Sequence, residues 1–365
     1  MSTYSASSPT PGPASRVTSL IDLCERGLVP DVLARAGMRR LIAQRLATER
    51  AGGPAAATVR MQSLLRELRA SPIAIETQMA NAQHYEVPAE FFKLHLGPFL
   101  KYSSCLYPTG TETLAQAEVA MLELVAQRAA LADGQRILDL GCGWGSLSLW
   151  LAARLPNAHI VGLSNSNGQR EFIESRARER NLDNIQIVTG NVSEFDFTDK
   201  AGGAGFDRIV SIEMFEHMKN YQALMAKVAR WLVPDGRLFV HIFAHQTLAY
   251  HFEQRDRSDW MAQYFFTGGI MPSQHLLLHF QDDLRLVEQW QVEGSHYERT
   301  ANDWLAGVDR ARAPILDLFQ RCYGADQGLV WLNRWRMFYM AVAELFGYRA
   351  GKEWGVGHYL FARRA

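Results

Sequence analysis

The stretch Ile137-Leu138-Asp139-Leu140-Gly141-Cys142-Gly143-Trp144-Gly145 reads as a strand that ends on an acid, runs into a glycine-rich turn and opens a helix. Glycine at every second position is a weak signal by itself. The strand before it and the helical pattern after it, Ser146 to Leu155, supply the context that strengthens it. Glycines at such a turn let the backbone approach a ligand without Cβ collisions. Dinucleotide binding needs G-x-G-x-x-G, with a pyrophosphate seated on the helix N-terminus. Here the spacing is G-x-G-x-G, and Asp139 stands just before it. A carboxylate there repels phosphate but can take a cationic amino group. The expected ligand is therefore S-adenosylmethionine rather than NAD, with Asp139, Gly141 and Gly143 among its contacts.

Outward from this turn, short β-branched runs alternate with helical patterns. Strands are predicted at Arg136 to Leu140, His159 to Ser164, Ile185 to Gly190, Asp207 to Ile212 and Leu238 to Phe243, with a helix at Gln169 to Arg180 among those between them. The alternation predicts an α/β fold, a doubly wound parallel sheet covered on both faces. Leu284 to Val292 and Val356 to Arg363 would complete a seven-stranded Rossmann-like sheet as a final pair. Two insertions, at about 244–283 and 301–350, follow the carboxyl ends of strands, where such folds build a substrate cap. The second strand ends in Leu163-Ser164-Asn165-Ser166, where dinucleotide folds place an acid on the ribose. Ser164, Asn165 and Gln169 offer neutral hydrogen-bonding groups in its place. At the end of the third strand, Asn191 and Val192 stand where contacts to an adenine are made; a loop Asn is also simply a turn residue.

Upstream, the Ser/Pro/Ala/Gly tract from Ser2 to Ser15 lacks the basic and apolar regions of a secretory signal, and residues 1–28 are expected to form a disordered tail. Residues 29–112 read as a helical segment and cofactor lid, with Leu33, Leu41, Ile42 and Leu46, then Met61, Leu64, Leu65 and Leu68, at helical spacing around the break Ala51-Gly52-Gly53-Pro54. Residues 113–365 form the main domain. The 38 basic and 38 acidic residues cancel, so no broad positive field exists to draw in nucleic acid or an anionic membrane. No apolar run is long enough to span a bilayer. The four cysteines form no C-x-x-C pair, which excludes a zinc site and a disulfide framework built on them. No metal is expected, and a reducing cytoplasm fits. Histidines in or near the first insertion, His241, His245, His251, His275 and His279, read by default as solvated or hydrogen-bonded.

The residues with catalytic chemistry follow the fourth strand. Glu213, Glu216 and His217 stand at i, i+3 and i+4, which predicts one face of a helical turn at the carboxyl end of the sheet. An alkylamine of pKa about 10 is protonated at neutral pH and has no free lone pair. Two carboxylates and an imidazole can bind such an ammonium and then take its proton.

Several longer stretches carry a resemblance: His84-Tyr85-Glu86-Val87-Pro88, Lys101-Tyr102-Ser103-Ser104, LDLGCGWGSL from Leu138, SIEMFEHMKNYQAL from Ser211, YFFTGGIMPS from Tyr264 and AVAELFGY from Ala341. Together they resemble class I methyltransferases of the cyclopropane fatty acid synthase superfamily and, within it, the plant coclaurine N-methyltransferase type. The resemblance implies methyl transfer from S-adenosylmethionine to the nitrogen of a small aromatic amine such as a tetrahydroisoquinoline. It implies that Glu213, Glu216 and His217 bind and deprotonate the amine, with His217 as base and Glu216 orienting it. A structural Glu216–His217 pair beneath the site is the alternative, because lipid-modifying relatives keep an E-H there. By the same resemblance Tyr102 and Ser103 belong to the cofactor lid, Ile212 to the cofactor surface and Tyr85 to the amine pocket. Trp335 and Phe338 lie on the helix that contacts the isoquinoline in the N-methyltransferases, although their spacing is equally that of core residues. A homodimer is implied by family habit. The rival reading is a cyclopropane-fatty-acyl-phospholipid synthase-type lipid C-methyltransferase. Glu213 weighs against it, since the synthases typically carry a small residue there and a carboxylate suits a cation.

Overall fold

A computed structural model describes residues 20–74, 88–198, 205–252 and 260–364. Seven strands form one sheet: β1 (Arg136–Leu140), β2 (His159–Ser164), β3 (Ile185–Thr189), β4 (Phe206–Ile212), β5 (Leu232–His245), β6 (Leu284–Glu293) and β7 (Trp354–Arg363). Their order is β3-β2-β1-β4-β5-β7-β6. β1 to β5 run parallel, and β7 enters antiparallel to both β5 and β6. The sheet is the predicted one, closed by the predicted final pair.

Side chains alternate between two apolar layers, as the period of a strand requires. Ile137, Val210 and Phe239 join the layer that holds the aromatic helices, while Leu138, Ile209 and Leu238 join the opposite one. Helices α6 (Ser146–Arg154), α7 (Asn167–Glu179) and α8 (Tyr221–Trp231) cover the parallel part. Strands β1 and β2 are buried after their first residue, the expected result of covering a parallel sheet on both faces.

The N-terminal part corrects one expectation. The described end of the predicted tail is helical, α1 (Leu20–Glu25), because Glu25 is an anchor: its carboxylate accepts from Arg334 Nε at 3.0 Å and from Trp260 Nε1 at 2.8 Å. Helices α2 (Asp31–Glu49) and α3 (Gly53–Ala70) follow, separated at Gly52, whose φ of +78° a side chain rarely adopts. α4 (Ala89–His95) and α5 (Leu114–Arg128) lead into β1, and α5 starts on a Thr113/Gln116 capping box.

The two insertions carry secondary structure of their own. The first holds a short ladder, Tyr250–His251 with Ile270–Met271, and α9 (Trp260–Tyr264). The second is three helices, α10 (Gly294–Arg310), α11 (Arg312–Tyr323) and α12 (Ala325–Phe346). α10 begins directly after β6, earlier than the expected 301, at a glycine where any Cβ would strike the Trp354 carbonyl. α2 is clamped to α12 by Arg35 and Arg39, both on Glu344. Among the described residues no helix is long and apolar enough to cross a membrane.

Candidate active site

The glycine turn has the backbone that its sequence demands. Gly141, Gly143 and Gly145 sit at φ of +89°, +52° and +79°. A Cβ on Gly141 would meet Met214 at 2.8 Å, whereas one on Gly143 would meet nothing within 4 Å. Gly143 thus leaves room along a cavity that opens to solvent. Asp139 lines the same cavity and is 2% exposed; Ser148 Oγ donates to its Oδ2 at 2.6 Å, and burial pushes its carboxyl up to about 6. Gln169 also lines it, with Oε1 accepting from Ser164 Oγ at 2.7 Å and a buried Nε2 that has no hydrogen-bond partner. An open glycine backbone, a buried acid and an unpaired amide donor fit an adenosine-type ligand with a cationic amino group.

Of the other expected contacts, Tyr102, Ser103, Ile212, Glu213, Glu216, His217 and Phe338 line this cavity. Ser164, Asn165, Asn191 and Val192 do not. Ser164 stands behind Gln169, and Asn191 Oδ1 accepts from Ser193 N and Oγ as a turn residue does. Trp335 is also outside the wall: it is fully buried, with its ring centroid 4.7 Å from Phe91 and 5.1 Å from Phe265. Tyr85 lies outside the described residues.

The turn after β4 is helical only in part. Glu213 has φ +47°, and only Phe215–His217 is helical, as one 3-10 turn. A left-handed residue cannot continue a right-handed helix, and it costs about 1 to 2 kcal/mol. Its own N–H donates to the His241 carbonyl at 2.8 Å, which holds the kink to β5. Glu213, Glu216 and His217 still converge on the cavity, brought there by the kink rather than by helical spacing.

Around Glu213 the donors are dense. Oε1 accepts from Ser104 N at 2.9 Å and lies 3.2 Å from His241 Nε2, and Oε2 accepts from Tyr297 OH at 2.6 Å. Burial raises its carboxyl above the usual range, opposed by the nearby Lys101 ammonium and by these hydrogen bonds. Lys101 is itself buried, with Nζ donating to Ser103 Oγ and the Ser104 carbonyl. Glu216 is the contrast. Its Oε2 is buried without a hydrogen-bond partner. Burial and the Glu213 charge hold its carboxyl well above the usual range. Two carboxylates in one dry site do not readily ionise together, and the hydrogen-bond donors are gathered on Glu213 rather than on Glu216. The His217 ring lies parallel to Phe266 at 5.8 Å.

Sequence reasoning missed Tyr297, Lys101 and the aromatic wall of Phe243, Phe252, Phe266, Trp304 and Phe346. It also left His241 among histidines without a role. One signal was available: His241 falls between Phe239 and Phe243 on the same face of a buried strand, where an imidazole needs a partner. For Tyr297 no local signal exists.

A family model described as mycolic acid cyclopropane synthetase matches residues 74–349. (S)-Coclaurine N-methyltransferase of Thalictrum flavum subsp. glaucum is 37% identical over 352 residues, 95% of this chain and 96% of that one. The crystal structure of coclaurine N-methyltransferase bound to N-methylheliamine and SAH superposes with a TM-score of 0.90 at 37% identity, covering 94% of this chain and 98% of that chain. Cyclopropane-fatty-acyl-phospholipid synthase of Escherichia coli strain K12 is 31% identical over 225 residues, 61% of this chain and 54% of its own length. The chain therefore belongs to the mycolic acid cyclopropane synthetase family, on the side of the coclaurine N-methyltransferases, and is an S-adenosylmethionine-dependent methyltransferase.

Proposed function

We propose that the protein methylates the nitrogen of a small aromatic amine of tetrahydroisoquinoline size, the coclaurine type. The observation that carries this reading is a hydrogen-bonded Glu213 carboxylate beside the unpartnered oxygen of Glu216, in a cavity walled by aromatic rings. Rings supply apolar area and favour a cation over their faces, and the acids supply the countercharge.

S-adenosylmethionine, when bound at the glycine turn, supplies an electrophilic methyl group. Everything else falls to the chain. Asp139 and the turn glycines would hold the cofactor, with Gln169 and Ile212 beside them. The substrate ammonium is held between Glu213 and Glu216, where its positive charge opposes the burial and the Glu213 charge that raise the Glu216 carboxyl. His217 takes the proton of the amine and frees the lone pair. Phe338 and the other rings orient the substrate so that nitrogen and methyl group approach in line. The reading places the reaction in the cytoplasm, on a dissolved amine rather than on a membrane lipid.

The test is to give purified protein S-adenosylmethionine with a panel of tetrahydroisoquinolines and arylalkylamines, or with dispersed unsaturated phospholipid. S-adenosylhomocysteine release and product mass are measured. Turnover with amines alone is expected. Turnover with lipid and silence with every amine would overturn the reading.

A further inference from the structure

Glu213 is the end of a line of hydrogen bonds that starts on another helix. Arg128, the last residue of α5, donates from Nη1 to His358 Nδ1 at 2.7 Å. His358 Nε2 and His241 Nδ1 are 2.9 Å apart, and His241 Nε2 lies 3.2 Å from Glu213 Oε1. The two histidines are partners in the β5–β7 register, and both are fully buried.

Elementary chemistry fixes the direction of every link. A guanidinium has donors only, so His358 Nδ1 must accept. An imidazole that accepts at Nδ1 is neutral and carries its proton on Nε2, and that proton goes to His241 Nδ1. His241 is fixed in turn, and its Nε2–H donates to Glu213 Oε1. Desolvation, which drives both imidazoles well below their ordinary value, agrees with two neutral rings. A protonated Oε1 on Glu213 would need His241 to accept at Nε2. Both imidazoles would then flip, and the Arg128 guanidinium would face an N–H.

We propose that Arg128, His358 and His241 are positioning residues that hold Glu213 Oε1 as a hydrogen-bond acceptor through a one-way chain, which favours the ionised carboxylate while it holds the amine. The consequence for activity rests on the proposed amine site; the tautomers do not. The other groups that face Glu213 are Lys101 and Cys105 before α5, Tyr297 on α10, and Glu216 and His217 on its own turn. Lys101 and Arg128 are the cations that face both imidazoles. None of these groups besides Arg128 sets the direction of the chain.

The experiment has two parts. The full chain labelled with 15N-histidine is examined by NMR, with His241→Gln and His358→Gln used for assignment. Both rings are expected as neutral Nε2–H tautomers over roughly pH 6 to 8, the range in which an ordinary imidazole titrates. A His358 Nδ1–H, or an imidazolium at either position, overturns the proposal. The pH profile of kcat/KM for the amine is then compared among wild type, Arg128→Met and Arg128→Lys. In Arg128→Met the acidic limb is expected to move up by about one pH unit, with the amine KM rising about tenfold, kcat falling much less and cofactor affinity unchanged. Arg128→Lys, which keeps a cationic donor, is expected to restore much of the profile. An Arg128→Met profile that superimposes on wild type overturns the proposal. Should Arg128→Met fail to fold, the Lys variant and the tautomers decide. Nε2–H tautomers without any amine turnover would support the chain and overturn the amine site, which separates the two failures.

Discussion

The glycine turn and the Glu213 cluster line one cavity but are assembled in opposite ways. The turn is a single run, Ile137 to Gly145, whose chemistry is set by its own backbone. The cluster draws Ser104, His241 and Tyr297 onto one carboxylate from a loop, a central strand and a cap helix. A site of the first kind is damaged by a side chain placed where none fits. One of the second kind is damaged by removing any distant donor, and each loss is felt at the same carboxylate.

That contrast can be broken by substitutions that should act on one half only. The largest effect is expected from Glu213→Gln, which keeps the shape and removes the charge. kcat/KM for the amine should fall by about 10²- to 10⁴-fold, the range found for removal of acid–base groups, with cofactor affinity little changed by calorimetry. Gly143→Val is the mirror experiment. A β-branched side chain at positive φ, projecting into the open space beside the turn, should weaken S-adenosylmethionine binding by about 10- to 100-fold and leave the amine KM unchanged. Loss of amine binding in Gly143→Val at saturating cofactor would show that the halves are not separable.

Smaller effects sharpen the picture. Tyr297→Phe removes one hydrogen bond to a buried carboxylate, worth about 1.5 to 3 kcal/mol, so kcat/KM should fall roughly tenfold or more and its acidic limb should move up. The cofactor half should respond to pH by itself. Asp139, pushed up to about 6 by burial, is ionised above that value and protonated below it. Affinity for S-adenosylmethionine should therefore weaken as pH falls through 6, seen as a rising Kd, and Asp139→Asn should flatten that dependence. The smallest change is expected from Phe338→Leu, a few-fold rise in amine KM with the cofactor Kd unaffected.

The same contrast explains what was legible in the sequence. Asp139, Gly141 and Gly143 stood out because a positive-φ turn after a buried strand leaves its demands in adjacent letters. The seven-stranded sheet also followed, since alternating strand and helix patterns leave few ways to build one. Glu213, Glu216 and His217 were found for the wrong local reason. Helical spacing predicted a face, while the structure uses a left-handed kink at Glu213. Tyr297, His358 and Arg128 were invisible, because what makes them part of the site is register between β5 and β7 and the seating of α5 and α10. Trp335 shows the converse: an aromatic at pocket spacing that the fold spends on the core.

The central claim, that paired acids in an aromatic cavity recognise an ammonium, is tested most directly with two ligands of one shape. Tetrahydroisoquinoline and its neutral oxygen isostere isochroman are titrated by calorimetry into wild type and Glu213→Gln, each saturated with S-adenosylhomocysteine. Wild type is expected to prefer the amine by about tenfold or more, as a desolvated ion pair should, and the preference is expected to collapse in Glu213→Gln. Equal affinity for the two ligands in wild type, or a preference that survives in the variant, would contradict the account.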